Sequence, residues 1–220
     1  MASESGPPLR NLKAIIFDYG EVLCLPPTTD EVAESARILD LDVRRFRELW
    51  SRDRDRYDRG DFTAEQYWRM LAENAKRTLR EEQFRELAER DVRMWSHVNP
   101  LMVAWLGSLS AAGIKTAVLS NMHADMARYA RREFAWLDLL SYHVFSVEVR
   151  LINPDPAIYR HCLQGLGVAA QETLFLDDRG PNVKAAQAVG LHALRFKSVA
   201  QLHDELQAAG FPVLPRAAEG

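Results

Sequence analysis

Lys13-Ala14-Ile15-Ile16-Phe17-Asp18-Tyr19-Gly20-Glu21-Val22-Leu23 sets a short apolar run against a single acid. The run is too short for a helix and reads as a buried strand that closes at Asp18. The same arrangement returns far downstream in Thr173-Leu174-Phe175-Leu176-Asp177-Asp178. Two such strands, separated by most of a domain, predict parallel neighbours that deliver carboxylates to one edge of a sheet. Open α/β sheets bind their ligands at that edge. Converging carboxylates repel one another unless a cation sits between them. The two stretches therefore predict a divalent-metal site around a nucleophilic Asp18.

Between these strands the pattern divides in two. Pro26-Pro27-Thr28-Thr29-Asp30 is a break with helix-start chemistry. From there to Val98 no strand-like segment occurs, and the periodicity predicts helices over 31–39, 43–57, 63–77 and 80–94. Thr63, with Gln66 three residues on, forms a capping box. Beyond Val98 helices and strands alternate. Helices are predicted over 100–112, 124–134, 156–166, 181–188 and 199–208, with strands over 114–119, 143–146, 173–176 and 191–196. Alternation of this kind predicts a parallel sheet covered on both faces. The expected organisation is a Rossmann-like α/β core over 12–25 and 99–210, an inserted all-helical cap over 26–98, and flexible tails at 1–11 and 211–220.

The bulk numbers narrow the function. In 220 residues, 28 Lys and Arg against 31 Asp and Glu give a net charge of −3, which argues against nucleic acid or an acidic membrane as partner. No apolar stretch approaches membrane-spanning length, and Met1–Pro8 lacks the basic start and apolar core of a signal peptide. Two cysteines, Cys24 and Cys162, build no disulfide framework and suit a reducing compartment. A cytoplasmic location is the expectation.

Phe17-Asp18-Tyr19-Gly20-Glu21-Val22-Leu23, Leu119-Ser120-Asn121, Asn153-Pro154-Asp155-Pro156 and Phe175-Leu176-Asp177-Asp178-Arg179-Gly180-Pro181-Asn182 together resemble the haloacid dehalogenase-like hydrolase superfamily, in its order and spacing. The stretch Arg59-Gly60-Asp61-Phe62-Thr63-Ala64-Glu65-Gln66-Tyr67-Trp68 is similar to helical caps of its small-molecule phosphatase branch. The resemblance implies an Mg²⁺-dependent phosphatase in which Asp18 attacks phosphorus and becomes an aspartyl-phosphate. It implies Mg²⁺ held by Asp18, the Gly20 carbonyl and Asp178, with Asp177 acting through water. Ser120 and the Asn121 amide would hold the phosphoryl oxygens, and Asn182 would steady the acidic loop. The substrate would be a small phosphorylated metabolite, the protein a monomer or homodimer.

Two positions depart from the family pattern. Gly20 stands where its phosphatases place a second aspartate as general acid and base, an assistance worth about 10² to 10⁴ in rate. Glu21 replaces it only if the loop turns that side chain inward. Asn153 stands in the place of a lysine and keeps a hydrogen-bonding group without the charge; Arg150 and Arg179 are the nearest substitutes. The missing acid points to esters with good leaving groups. The departures keep open a catalytically weak or inactive binding protein, and a 2-haloacid dehalogenase forms a further alternative that the acid pair opposes. The charged run Arg52–Arg59 reads as a solvated helix end, with a substrate-facing arginine among its residues as the alternative; Tyr67 and Trp68 are candidates for the inner face of the cap, and His123 reads as structural.

Overall fold

In a computed structural model that describes residues 9–216, with only the backbone of Arg10, five strands form one wholly parallel sheet. They are β1 (Ala14–Phe17), β2 (Lys115–Ser120), β3 (Tyr142–Phe145), β4 (Thr173–Asp177) and β5 (His192–Arg195), in the spatial order β3-β2-β1-β4-β5. The third strand begins one residue earlier than its sequence pattern predicts. Central β1 pairs Phe17 with Val118 on one side and with Leu176 on the other. The chain runs outward through β2 and β3 and then returns to the opposite side for β4, so the crevice at the order reversal opens beside Asp18.

The period-two geometry of the strands separates two layers of core. Ile15, Phe17, Val118, Leu174 and Leu176 face one apolar cluster, while Ala14, Ile16, Ala117, Leu119 and Phe175 face the other. Both faces are buried, which is why these strands read as continuous apolar runs.

Between β1 and the helix Pro100–Ala111 that leads into β2 lie five α-helices, Thr29–Ile38, Val43–Arg52, Arg54–Asp58, Ala64–Ala75 and Glu81–Met94. They enclose an apolar cluster of their own around Phe46, Trp50, Tyr57, Trp68 and Leu87. Thr28 and Thr63 start two of them through capping boxes with Glu31 and Gln66. The predicted continuous helix over 43–57 is broken at Asp53, whose φ of −114° and ψ of 19° leave the helical region. Tyr67 and Trp68 pack inside this cluster, the Tyr67 hydroxyl donating to the Trp50 carbonyl, so neither reaches the inner face proposed from sequence.

Hydrogen bonds tie the helical unit to the rest of the chain. The two crossing segments pair as Leu25 N–H to His97 O at 2.6 Å and Asn99 N–H to Leu23 O at 2.9 Å. The buried Ser146 hydroxyl donates to the Asp58 carbonyl at 2.6 Å. Arg150 Nη1 donates to the Gly60 carbonyl, also at 2.6 Å. Gly60 has φ +83°, and a β-carbon there would lie 2.9 Å from Val147, so only glycine lets the two units approach this closely.

The ends of the chain hold more structure than their composition suggests. Leu9 and Phe211 are buried, Leu9 N–H bonds the Ala209 carbonyl, and the Trp105 indole donates to the Val213 carbonyl at 2.9 Å. The tails expected at 1–11 and 211–220 thus include packed segments at 9–11 and 211–215; residues 1–8 and 217–220 lie outside the described residues. Among the described residues no helix is long and apolar enough to cross a membrane.

Candidate active site

Asp18 follows β1 directly, its amide held by the Leu176 carbonyl at 2.8 Å. Its carboxylate accepts from the Tyr19 amide at 2.7 Å. Across the same sheet edge β4 ends in Asp177, with Asp178 beyond it. One carboxylate oxygen from each of Asp18, Asp177 and Asp178 lies within 4.8 Å of the other two. At that distance each charged pair repels by roughly 3 kcal/mol at an effective dielectric of 20. The carboxyl groups respond accordingly. Burial, then Asp177 and Asp178, hold Asp18 well above the usual carboxylate range, against the pull of Ser120 and the Tyr19 amide. Burial, then Asp177 and Glu21, push Asp178 up to about 6. Asp177 is raised chiefly by its burial.

Fixed bonds keep the acids in place despite this repulsion. Asp177 accepts from the Arg179 amide at 2.7 Å and from Asn182 Nδ2 at 2.9 Å. The Tyr159 hydroxyl in turn holds the Asn182 carbonyl at 3.0 Å. Three oxygen donors crowded against mutual repulsion fit a hard divalent cation such as Mg²⁺. The buried, unpartnered Oδ1 atoms of Asn153 and Asn182 leave acceptor capacity on the same cavity wall.

A cavity of about 180 Å³ opens over the acids. It brings together Asp18, Gly20, Glu21, Ser120, Asn121, Asn153, Asp178, Arg179 and Asn182 from the sequence-derived set. Asp177 lies fully buried beneath them. Asn121 and Asn153 clamp one another, Asn121 Oδ1 accepting from the Asn153 amide at 2.8 Å and Asn121 Nδ2 donating to the Asn153 carbonyl at 3.1 Å. Glu21 is exposed at the mouth, in a left-handed turn with φ 56°.

Arg150 is not part of this site. Its guanidinium is engaged by Gly60, on a separate groove, so its proposed role in place of a lysine is withdrawn. Arg179 lines the cavity, yet its charge acts on Asp177 and Asp178. The largest influences on Asp18 are its burial, the two neighbouring acids and its hydrogen bonds.

The solvated reading of the Arg52–Arg59 run holds for Arg52, Asp55 and Arg56, which are exposed, but not for Arg54 and Asp58. Arg54 lines the cavity and is fixed by two buried acids, Asp58 at 3.0 Å and Asp91 at 2.9 Å. Its guanidinium lies over Trp50 and Tyr57, about 5.5 Å and 5.4 Å from the ring centres. Trp50, Arg54, Tyr57 and Asp58 recur at helical spacing, the one sequence signal that this face is buried. Trp95 and His123 line the cavity too. His123 is buried, stacked on Tyr57 at 4.5 Å, and held well below the usual imidazole range by burial and by Arg54, hence neutral.

A family model described as haloacid dehalogenase-like hydrolase matches residues 12–190. The chain belongs to this family. Among relatives, mouse acyl-CoA dehydrogenase family member 10 is 29% identical over 221 residues, a match spanning 93% of this chain but only 20% of the mouse protein. The (S)-2-haloacid dehalogenase 4A of Burkholderia cepacia is 26% identical over 199 residues, 84% of this chain and 83% of that enzyme. A haloacid dehalogenase family enzyme of Bacteroides thetaiotaomicron, solved with magnesium and inorganic phosphate, superposes with TM-score 0.66 at 18% identity over 84% of this chain and 94% of its own. The fold is thereby shared with the Bacteroides enzyme, and the names of the relatives span more than one chemistry.

Proposed function

We propose that the protein is an Mg²⁺-dependent phosphatase that hydrolyses a small phosphate monoester through Asp18. The observation that carries this reading is the convergence of Asp18, Asp177 and Asp178, one carboxylate oxygen of each lying within 4.8 Å of the other two. A bound divalent cation would neutralise the carboxylates and draw charge from the phosphoryl oxygens. Asp18, Asp178 and the carbonyl of Gly20 would hold it, and Asp177 would act behind them.

In the first step an oxygen of Asp18 forms a bond to phosphorus while the ester bond breaks and its electron pair leaves on the alkoxy oxygen. With glycine at position 20, the leaving oxygen takes its proton from water, which favours leaving groups of low pKa. In the second step water attacks phosphorus, the Asp18–phosphorus bond breaks, and inorganic phosphate departs. Ser120 and the Asn121 amide border the cavity beside Asp18, where they orient the transferring oxygens. The Asn121–Asn153 clamp keeps that wall rigid.

The test is hydrolysis of phenyl phosphate with Mg²⁺. Turnover that is lost on chelation and in Asp18→Asn, together with a mass increase of one phosphoryl group on wild-type Asp18 after rapid quenching, supports the reading. Identical rates for wild type and Asp18→Asn would instead support a non-catalytic binding protein. The dehalogenase relatives favour a second reading, displacement of halide from carbon by the same aspartate. A haloacid brings its own carboxylate to three others here, and Asn153 offers no positive charge to receive it. Halide release that survives chelation would support that reading.

A further inference from the structure

The wall that the helical unit turns toward Asp18 carries charges for which attack at phosphorus has no use. Arg54 directs Nε at the carboxylate of Asp58 and Nη1 at that of Asp91. Asp58 and Asp91 are 5% and 0% exposed, whereas the Arg54 side chain keeps 19% of its surface open on the cavity side. Arg54 and Asp58 both line the cavity. Buried ion clusters are commonly no more stable than apolar residues of the same volume, so fold stability alone does not account for this one. Beside it His123, 1% exposed, lines the same wall with neither ring nitrogen hydrogen bonded, Nε2 lying 3.3 Å from Asp91 without the alignment of a bond. Buried polar atoms without a protein partner leave bonding capacity that a water, an ion or a ligand completes. Across from them Tyr19, Trp95, Met122 and Met126 make the remaining wall apolar.

In-line transfer places the leaving group on the side of phosphorus away from Asp18, toward these groups. Resting on the phosphatase reading, we propose that Arg54 and Asp58 form a subsite for a neutral, hydroxyl-bearing leaving group, a sugar or polyol, with His123 as a further polar contact and Trp95 as an apolar platform. A hydroxyl donates to Asp58 and accepts from Arg54, so it satisfies both at once. A carboxylate in the leaving group gains nothing here, because Arg54 already shares its charge between two acids and Asp58 repels it. A purely aromatic leaving group covers Trp95 but strips water from Arg54 and His123 without replacing its bonds. Sugars combine the two surfaces required, a hydroxyl rim and a hydrocarbon face.

The experiment compares kcat/KM with Mg²⁺ for three esters: a hexose phosphate esterified at the anomeric carbon, phenyl phosphate and phosphoglycolate. Wild type is expected to favour the hexose ester over phosphoglycolate by roughly tenfold or more, the value of a hydrogen bond to a charged group. Asp58→Asn, which keeps the Arg54–Asp91 pair, and Arg54→Lys are each expected to lower the hexose-to-phenyl ratio by about tenfold, mainly through KM. A preference for phosphoglycolate, or a ratio unmoved by both variants, overturns the subsite and leaves the phosphatase reading standing. Absence of Mg²⁺-dependent turnover with all three esters overturns both. Should a variant fail to fold, the wild-type order of the three esters decides alone.

Discussion

Gly20→Asp restores a carboxyl at the position where the protein lacks a general acid, and the backbone allows it. Gly20 has φ −60° and ψ 129°, a region open to any residue. A β-carbon there meets Trp95 Cζ3 at 3.7 Å and Asp18 Oδ2 at 3.9 Å, both ordinary van der Waals contacts. The new carboxyl would sit about 5 Å from that of Asp18, a repulsion of roughly 3 kcal/mol at an effective dielectric of 20. That repulsion raises the introduced group above its ordinary carboxylate value. That suits a proton donor working near neutrality. With a series of substituted phenyl phosphates, wild-type kcat should fall steeply as the leaving-group pKa rises. The variant should flatten this dependence, gaining about 10² in kcat or more on the poorest leaving groups and little on the best. A flat dependence in wild type would refute the reasoning, because it requires an acid already in the cavity. A folded variant with no gain on poor leaving groups would refute it equally.

Further outcomes follow from the charges. Asn153→Lys introduces a cation into a cavity wall where the Asn153 side chain is buried and Oδ1 is unpartnered; product inhibition by inorganic phosphate should tighten about tenfold, and an unchanged inhibition constant would contradict the missing-charge argument. In the metal-free protein Asp178 is raised to about 6, with Asp18 and Asp177 also raised, so the stability these groups provide is complete below their unfolded value near 4 and lost as pH rises through about 6. Mg²⁺ at a hundred times its dissociation constant should then raise the melting temperature at pH 7.5 by roughly 5–11 °C and by much less at pH 5; an equal shift at both would contradict the cluster as its site. Arg54→Met leaves Asp58 and Asp91 buried without a counter-cation, which should cost about 3–5 kcal/mol in denaturant unfolding, and pairing it with Asp58→Asn and Asp91→Leu should recover most of the loss.

The sheet was legible because its strands are buried on both faces and read as uninterrupted apolar runs ending in acids. Asp18 and the Asp177-Asp178 pair could be placed at one edge from that pattern and the parallel topology alone. The cap contacts were not legible in the same way. Arg54 and Asp58 sit in a run of alternating charges that usually faces solvent, and only the aromatic residues at helical spacing beside them betray burial. Arg150 is near Asn153 in sequence, yet its left-handed backbone, φ 58°, ends a short helix and its side chain meets Gly60. Sequence proximity carries no direction across such a turn. The C-terminal Pro212-Val213-Leu214-Pro215 stretch looked loose because it lacks periodicity, but its carbonyls receive Trp105 and His203 from two helices of the core.

The central claim is that Asp18, Asp177 and Asp178 exist to share one divalent cation. Calorimetric titration of the metal-free protein with Mg²⁺, for wild type and Asp178→Asn side by side, tests it most directly. One ion per chain is expected in wild type and no measurable binding in the variant, whose fold is confirmed by its unfolding transition. Wild-type protein that takes up no Mg²⁺, or a variant that binds it as tightly, would rule out a shared cation at these acids.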